Sequence, residues 1–206
     1  MTPLEYQSLA KRTVTPEAMD NMEFGLTNWA LGIAGETAEC LVFDLPLINR
    51  VMEAMTAPLF QMLKLQELLS SYKPDPRRKE ELTDELGDVM WYVAIMCEQI
   101  GTDLNDIRRR DKYINIDTVG TTKSSLAALA TCGGAVADYV KKVVCHGHEL
   151  DVETLISKIN PVYYHVRGVC EQENIHLVHV FQTNIRKLKL RYPDGFSTED
   201  SINRTA

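Results

Sequence analysis

Four carboxylates in two short stretches are the residues of this chain best suited to chemistry. Glu85 and Asp88 stand at i and i+3 within ELTDELGDVMWY, residues 81–92, so on a helix they share one face. Glu36 and Glu39 repeat that spacing within ALGIAGETAEC, residues 30–40. Val89, Trp91 and Tyr92 follow the second pair directly, and the first pair sits among small and apolar residues. Carboxylates on apolar helices are costly to bury unless something neutralises them. Hard divalent cations do so through oxygen ligands, and Mg²⁺ leaves coordination positions open for water or phosphate oxygens. Two such ions can clamp a polyphosphate and lower the pKa of an attacking water. A solvated acidic face is the plainer alternative, and spacing alone favours it; the apolar setting of both pairs counts against it. Glu81 and Asp84 read as outer members of the acidic run.

The bases cluster elsewhere. Lys187 and Arg191 lie at i and i+4 with Asn184 one turn earlier, so one helical face can grip one anion. Arg offers a planar fork and Lys a point charge. Lys141 and Lys142 end another helix, where cations also favour the macrodipole. Cys145-His146-Gly147-His148 lacks distant partner ligands and reads as a surface turn or a substrate contact rather than a transition-metal site.

Helical periodicity dominates the elements that must position these groups. Thr2-Pro3 and Thr15-Pro16 read as helix starts, the first with Leu4, Tyr6, Leu9 and Ala10 on its apolar side. A long helix is expected from Met22 to Phe43 with Trp29, Leu31, Ile33 and Leu41 inward. Pro46 and Pro58 divide the following stretch into helices near 47–56 and 59–71. Further helices are expected over Arg77–Ile100, a short one after Asp103, then Ser124–Val144, Asp151–Glu173 with a kink or split at Pro161, and His176–Leu190. Residues 115–122 read as a linker, and the tail RYPDGFSTEDSINR as turn-rich and ordered only by docking.

The chain has 206 residues, 45% apolar and 25% charged, the profile of a soluble globular protein. No apolar run reaches the roughly 20 residues that span a bilayer, and the first residues lack the order of a signal peptide. The net charge of -7 argues against general nucleic-acid binding. Five widely spaced cysteines without a CxxC predict reduced thiols and a cytoplasmic location.

The two halves echo each other. Residues 31–39 parallel 129–137, Trp91-Tyr92 parallels Tyr163-Tyr164, and Cys97-Glu98-Gln99 parallels Cys170-Glu171-Gln172. The acids have no counterparts: Glu36, Glu39, Glu85 and Asp88 align with Gly134, Ala137, Ser157 and Asn160. One half supplies acids and the other bases, as in a single composite site. Chance similarity of two amphipathic hairpins is the alternative.

The combination GxxxExxE…ELGDVxWY, with ADYVKKVVCHGHELD and NIRKLKLRYPDGFSTEDSINR, resembles the MazG-like all-α nucleoside triphosphate pyrophosphohydrolases, the superfamily that includes the dimeric dUTPases. The matching pieces cover more than half the chain. The resemblance implies an all-α helical bundle, here a tandem repeat with a degenerate second copy: residues 1–114 carry the acids, with an insertion at 41–79, and residues 115–206 carry the bases, both packed as one unit. It implies Mg²⁺, replaceable by Mn²⁺, held by Glu36, Glu39, Glu85 and Asp88, with Glu39 or Glu85 as general base. It also implies phosphate contacts from Lys142, Asn184, Lys187 and Arg191, and a homodimer. The base pocket is expected near the N-terminal helices, with Trp29 and Asn28 as candidates. The expected reaction converts a (d)NTP to the monophosphate and pyrophosphate. The lean is to dGTP or GTP in a phage-type protein acting in the host cytoplasm. A dUTPase-type activity and a non-catalytic nucleotide-sensing or docking module are the alternatives. The spacing between Glu39 and Glu85 is longer than the family's, and dividing acids from bases between two repeats departs from its single-copy members.

Overall fold

The computed structural model describes residues 1–41, 43, 77–110, 126–197 and 199. Every regular element among them is helical: α1 (Pro3–Ala10), a 3₁₀ turn (Lys11–Thr13), α2 (Pro16–Asp20), α3 (Met22–Leu41), α4 (Arg78–Gln99), α5 (Leu104–Arg110), α6 (Leu126–His146), α7 (Val152–Gln172) and α8 (Leu177–Arg191). The expected helices near 47–56 and 59–71, most of the 41–79 insertion that contains them, and the linker at 115–122 lie outside the described residues.

Local chemistry sets many of the boundaries. Thr2 caps α1 in a reciprocal capping box with Glu5 and Pro3 follows at the first helical position; at α2 Thr15 accepts from the Ala18 N–H and Pro16 comes first. Asp151 accepts from the backbone of Glu153 and Thr154 at the start of α7. The ends of α4 and α7 match. Gly101 and Asn174 are left-handed, and the next residues donate back across the turn, Thr102 to Cys97 at 2.9 Å and Ile175 to Cys170 at 2.8 Å. Gly147, also left-handed, follows α6.

Four long helices close a ring: α3 packs on α4 and α6, α6 on α7, and α7 on α4. The shorter α1 and α8 lie together against α4, and α5 joins α1 to α7. One continuous core includes residues of all eight helices, so both halves share it. The α3–α6 contact is close because Gly133 has no side chain; a Cβ there would overlap Thr37 Oγ1 and crowd the Ile33 carbonyl.

Three expectations are corrected. Leu31 is 64% exposed rather than inward, and Leu4 is also exposed. The buried positions of α3, including Leu26, Trp29, Ala30, Ile33, Thr37 and Cys40, follow a stripe that leaves Leu31 on the opposite side. Pro161 does not split its helix, since α7 runs unbroken over 21 residues. Proline removes the donor for the carbonyl four residues earlier; that residue is Ser157, which is exposed to solvent.

Candidate functional site

The packing of α3 on α4 brings the two acidic pairs together. Glu36 and Glu39 lie in the last turns of α3, and Glu85 and Asp88 lie before the apolar half of α4. One oxygen from each of Glu36, Glu39 and Glu85 can be chosen so that all three lie within 4.8 Å of one another. Glu36 and Glu85 are partly buried and Glu39 is exposed.

Asp88 is held differently. Lys187 Nζ donates to its Oδ2 at 2.6 Å and Asn184 Nδ2 to its Oδ1 at 2.9 Å. Both donors project from α8. Asn184 is fully buried, and its own Oδ1 accepts from the Tyr6 hydroxyl at 2.9 Å. That hydroxyl also lies 3.2 Å from the Gly87 carbonyl. Gly87 is required here because a Cβ would press on the Asn184 side chain at 2.9 Å. Helices α1, α4 and α8 are thus tied together at the fourth acid. Asn184 and Lys187, expected at phosphate, both contact the Asp88 carboxylate.

Crowding of like charge shows in the acids' proton affinities. The Glu36 carboxyl is pushed up to about 7, first by burial and then by Asp88, Glu39 and Glu85, with Lys187 pulling the other way. Glu85 is raised for the same reasons, burial first and Asp88 next. Two carboxyls that resist ionisation beside a third oxygen donor suit a hard divalent cation, which would relieve the repulsion.

A cavity of about 420 Å³ adjoins this group, and Glu36 and Asp88 form part of its wall. Much of its lining is aromatic. Trp29 and Trp91 meet edge to face with centroids 5.7 Å apart, and Trp91 and Tyr92 do likewise at 4.8 Å. The Tyr92 ring lies over Gly32, where a Cβ would overlap it. Both indole N–H groups are used inside the protein. Trp29 donates to Gln99 Oε1, and Trp91 donates to Thr13 Oγ1 at 2.9 Å. The hydroxyl of Thr13 in turn donates to the Ala10 carbonyl at 2.9 Å. Trp29 is buried, so the accessible ring surface comes chiefly from the part-exposed Trp91 and Tyr92, and the exposed Asn28 adds a carboxamide to the lining. Arg191 and the tail residues Tyr192 and Phe196 complete it, the last two with ring centroids 5.3 Å apart.

Among the candidate residues, Trp29, Asn28, Glu36, Asp88 and Arg191 thus line one cavity, with Glu39 and Glu85 gathered beside Glu36. Lys142 stands apart from that lining, its Nζ 2.7 Å from Asp138 one turn earlier on α6. Reading the sequence did not single out Tyr6, Gln99 or Thr13 as parts of the site. Their signal was absent because each acts through a contact 70 or more residues away. Tyr192 and Phe196 lay within a recognised tail motif.

Comparisons of the chain with protein-family models, with curated proteins and with solved structures gave no match.

Proposed function

We propose that this protein is a divalent-cation-dependent nucleoside triphosphate pyrophosphohydrolase, acting at the carboxylate group and the cavity beside it. The observation that supports this reading most is that Glu36 belongs to both: it is one of the three converging carboxylates and part of the wall of an aromatic-lined cavity. A planar base can stack in the aromatic end while its phosphate chain reaches the acids. Glu36, Glu39 and Glu85 would hold Mg²⁺ or Mn²⁺, with Asp88 joining them if Lys187 lets go. The cation, when bound, supplies charge neutralisation for phosphate and acidifies water.

The residues of the chain have separate tasks. Glu39 or Glu85 accepts the proton of the attacking water. The new bond joins water oxygen to phosphorus, the bond to the pyrophosphate oxygen breaks, and its electron pair leaves with pyrophosphate. Arg191 and Lys187 offset the charge of that leaving group. The aromatic wall binds ring faces of any base, so dGTP and GTP are the first substrates to try on resemblance, and dUTP is the close rival.

The test is incubation with Mg²⁺ and each common NTP and dNTP, with separation of products. Release of monophosphate and pyrophosphate in equal amounts is expected from at least one. No product from any of them, with Mg²⁺ or Mn²⁺, overturns the reading. The engagement of Asp88 by Lys187 and Asn184 favours a second reading, a nucleotide sensor that binds without turnover. A ligand-dependent rise in melting temperature without products would select it.

A further inference from the structure

We propose that Gln99 is a positioning residue for the aromatic end of the cavity, fixing Trp29 and the elbow between α2 and α3 through one buried carboxamide. The inference rests on the nucleotide reading above for its kinetic consequence, though not for its structural one. Gln99 is the last residue of α4 and is 9% exposed. Its Oε1 accepts the Trp29 indole N–H. Its Nε2 lies 3.3 Å from each of the carbonyl oxygens of Ala18, Met19 and Asn21.

The Ala18 and Met19 carbonyls are among those a five-residue helix leaves unsatisfied at its C-terminal end, while the Asn21 carbonyl also accepts from the Gly25 N–H at 2.8 Å as α3 begins. Asn21 also holds the start of α3, its Oδ1 accepting from the Phe24 N–H at 3.0 Å. Gly25 makes room for the carboxamide, since a Cβ there would overlap both Gln99 and the Ala18 carbonyl. Ala18, Phe24, Asn28 and Trp29 all line the cavity. One side chain therefore sets a wall built from two helices and their elbow. The carboxamide is spent on both sides, accepting from the ring and donating to the backbone, and neither contact reaches the acids. Gln99 stands 11 residues beyond Asp88, about 16 Å along α4 at 1.5 Å per residue. Its loss should loosen ground-state and transition-state binding alike, raising KM with little change in kcat.

The test uses the full-length protein. Q99M keeps the side-chain length and removes every hydrogen bond. In folded Q99M, acrylamide should quench tryptophan emission more steeply than in wild type, and KM for the best triphosphate should rise roughly tenfold with kcat within about twofold. An unchanged quenching slope overturns the proposal, as does an unchanged KM or a fall confined to kcat. Should Q99M fail to fold, Q99E keeps the acceptor for Trp29 while setting a carboxylate against three carbonyls. Its expected result is a raised KM with near-wild-type quenching; an unchanged KM overturns the proposal. If wild type hydrolyses no nucleotide, the proposed activity falls, while the quenching comparison still decides whether Gln99 holds Trp29.

Discussion

Glu85 and Asp88 lie one turn apart yet have opposite surroundings, and their neutral variants should part accordingly. Glu85 is crowded by burial and by other carboxylates. Glu85→Gln removes that repulsion, so the metal-free protein should melt higher while turnover falls by about 10²-fold or more. Asp88→Asn breaks a partly buried ion pair with Lys187, so melting temperature should fall along with activity. A melt and a product assay on each variant check both signs; a lower melting temperature for Glu85→Gln would contradict the crowding. Tyr6 gives a third case. Tyr6→Phe leaves the buried Asn184 Oδ1 without its donor, which should cost about 1–3 kcal/mol in denaturant unfolding. Spacing along one helix revealed which acids share a face, because that face follows from 3.6 residues per turn. It could not reveal that Asp88 meets Lys187, 99 residues away, because partner choice is decided by which helices pack.

The helices themselves were largely legible. Thr2, Thr15 and Asp151 mark starts through side-chain caps, and Gly101 and Gly147 mark ends through left-handed backbone, all of them local effects. Burial was less legible, because an apolar residue does not declare which stripe of its helix faces the core. Leu31 is the example: it follows Ala30 and precedes Gly32, and only the packing of α4 and α6 on either side decides that it faces out. The close approach of α3 and α6 supplies the test at this scale. Gly133→Ala sets a methyl against Thr37 Oγ1, whose hydroxyl donates at 2.7 Å to the Ile33 carbonyl. Neither neighbour is the free end of a flexible chain, so the helices must part. A loss of about 1–3 kcal/mol is expected from chemical unfolding, whereas Gly134→Ala, with open space at its Cβ position, should be neutral or slightly stabilising.

For the whole molecule, the carboxylate group links stability to pH and to divalent cations. Folding raises the proton affinity of Glu36 from an ordinary 4.5 to about 7, so the folded state holds the extra proton between those values. Stability of the metal-free protein therefore declines as pH rises through that window, as far as this group is concerned. A cation at the site must displace the proton at pH 6 but not at pH 8. Millimolar Mg²⁺ should thus raise the melting temperature more at pH 8 than at pH 6, and chelation should reverse it. Equal increments at both pH values, or none, would remove Glu36 from the cation's ligands. No helix among the described residues is long and apolar enough to cross a membrane. The tie from α8 to Asp88 also bears on how the chain comes off the ribosome. Asn184 and Lys187 follow Asp88 by 96 and 99 residues. At about 5–20 residues per second, synthesis takes roughly 5–20 s to deliver them. Until then the nascent acidic hairpin has no cation of its own from α8, so counter-ions in the surrounding fluid must stand in as temporary chaperones of its charge.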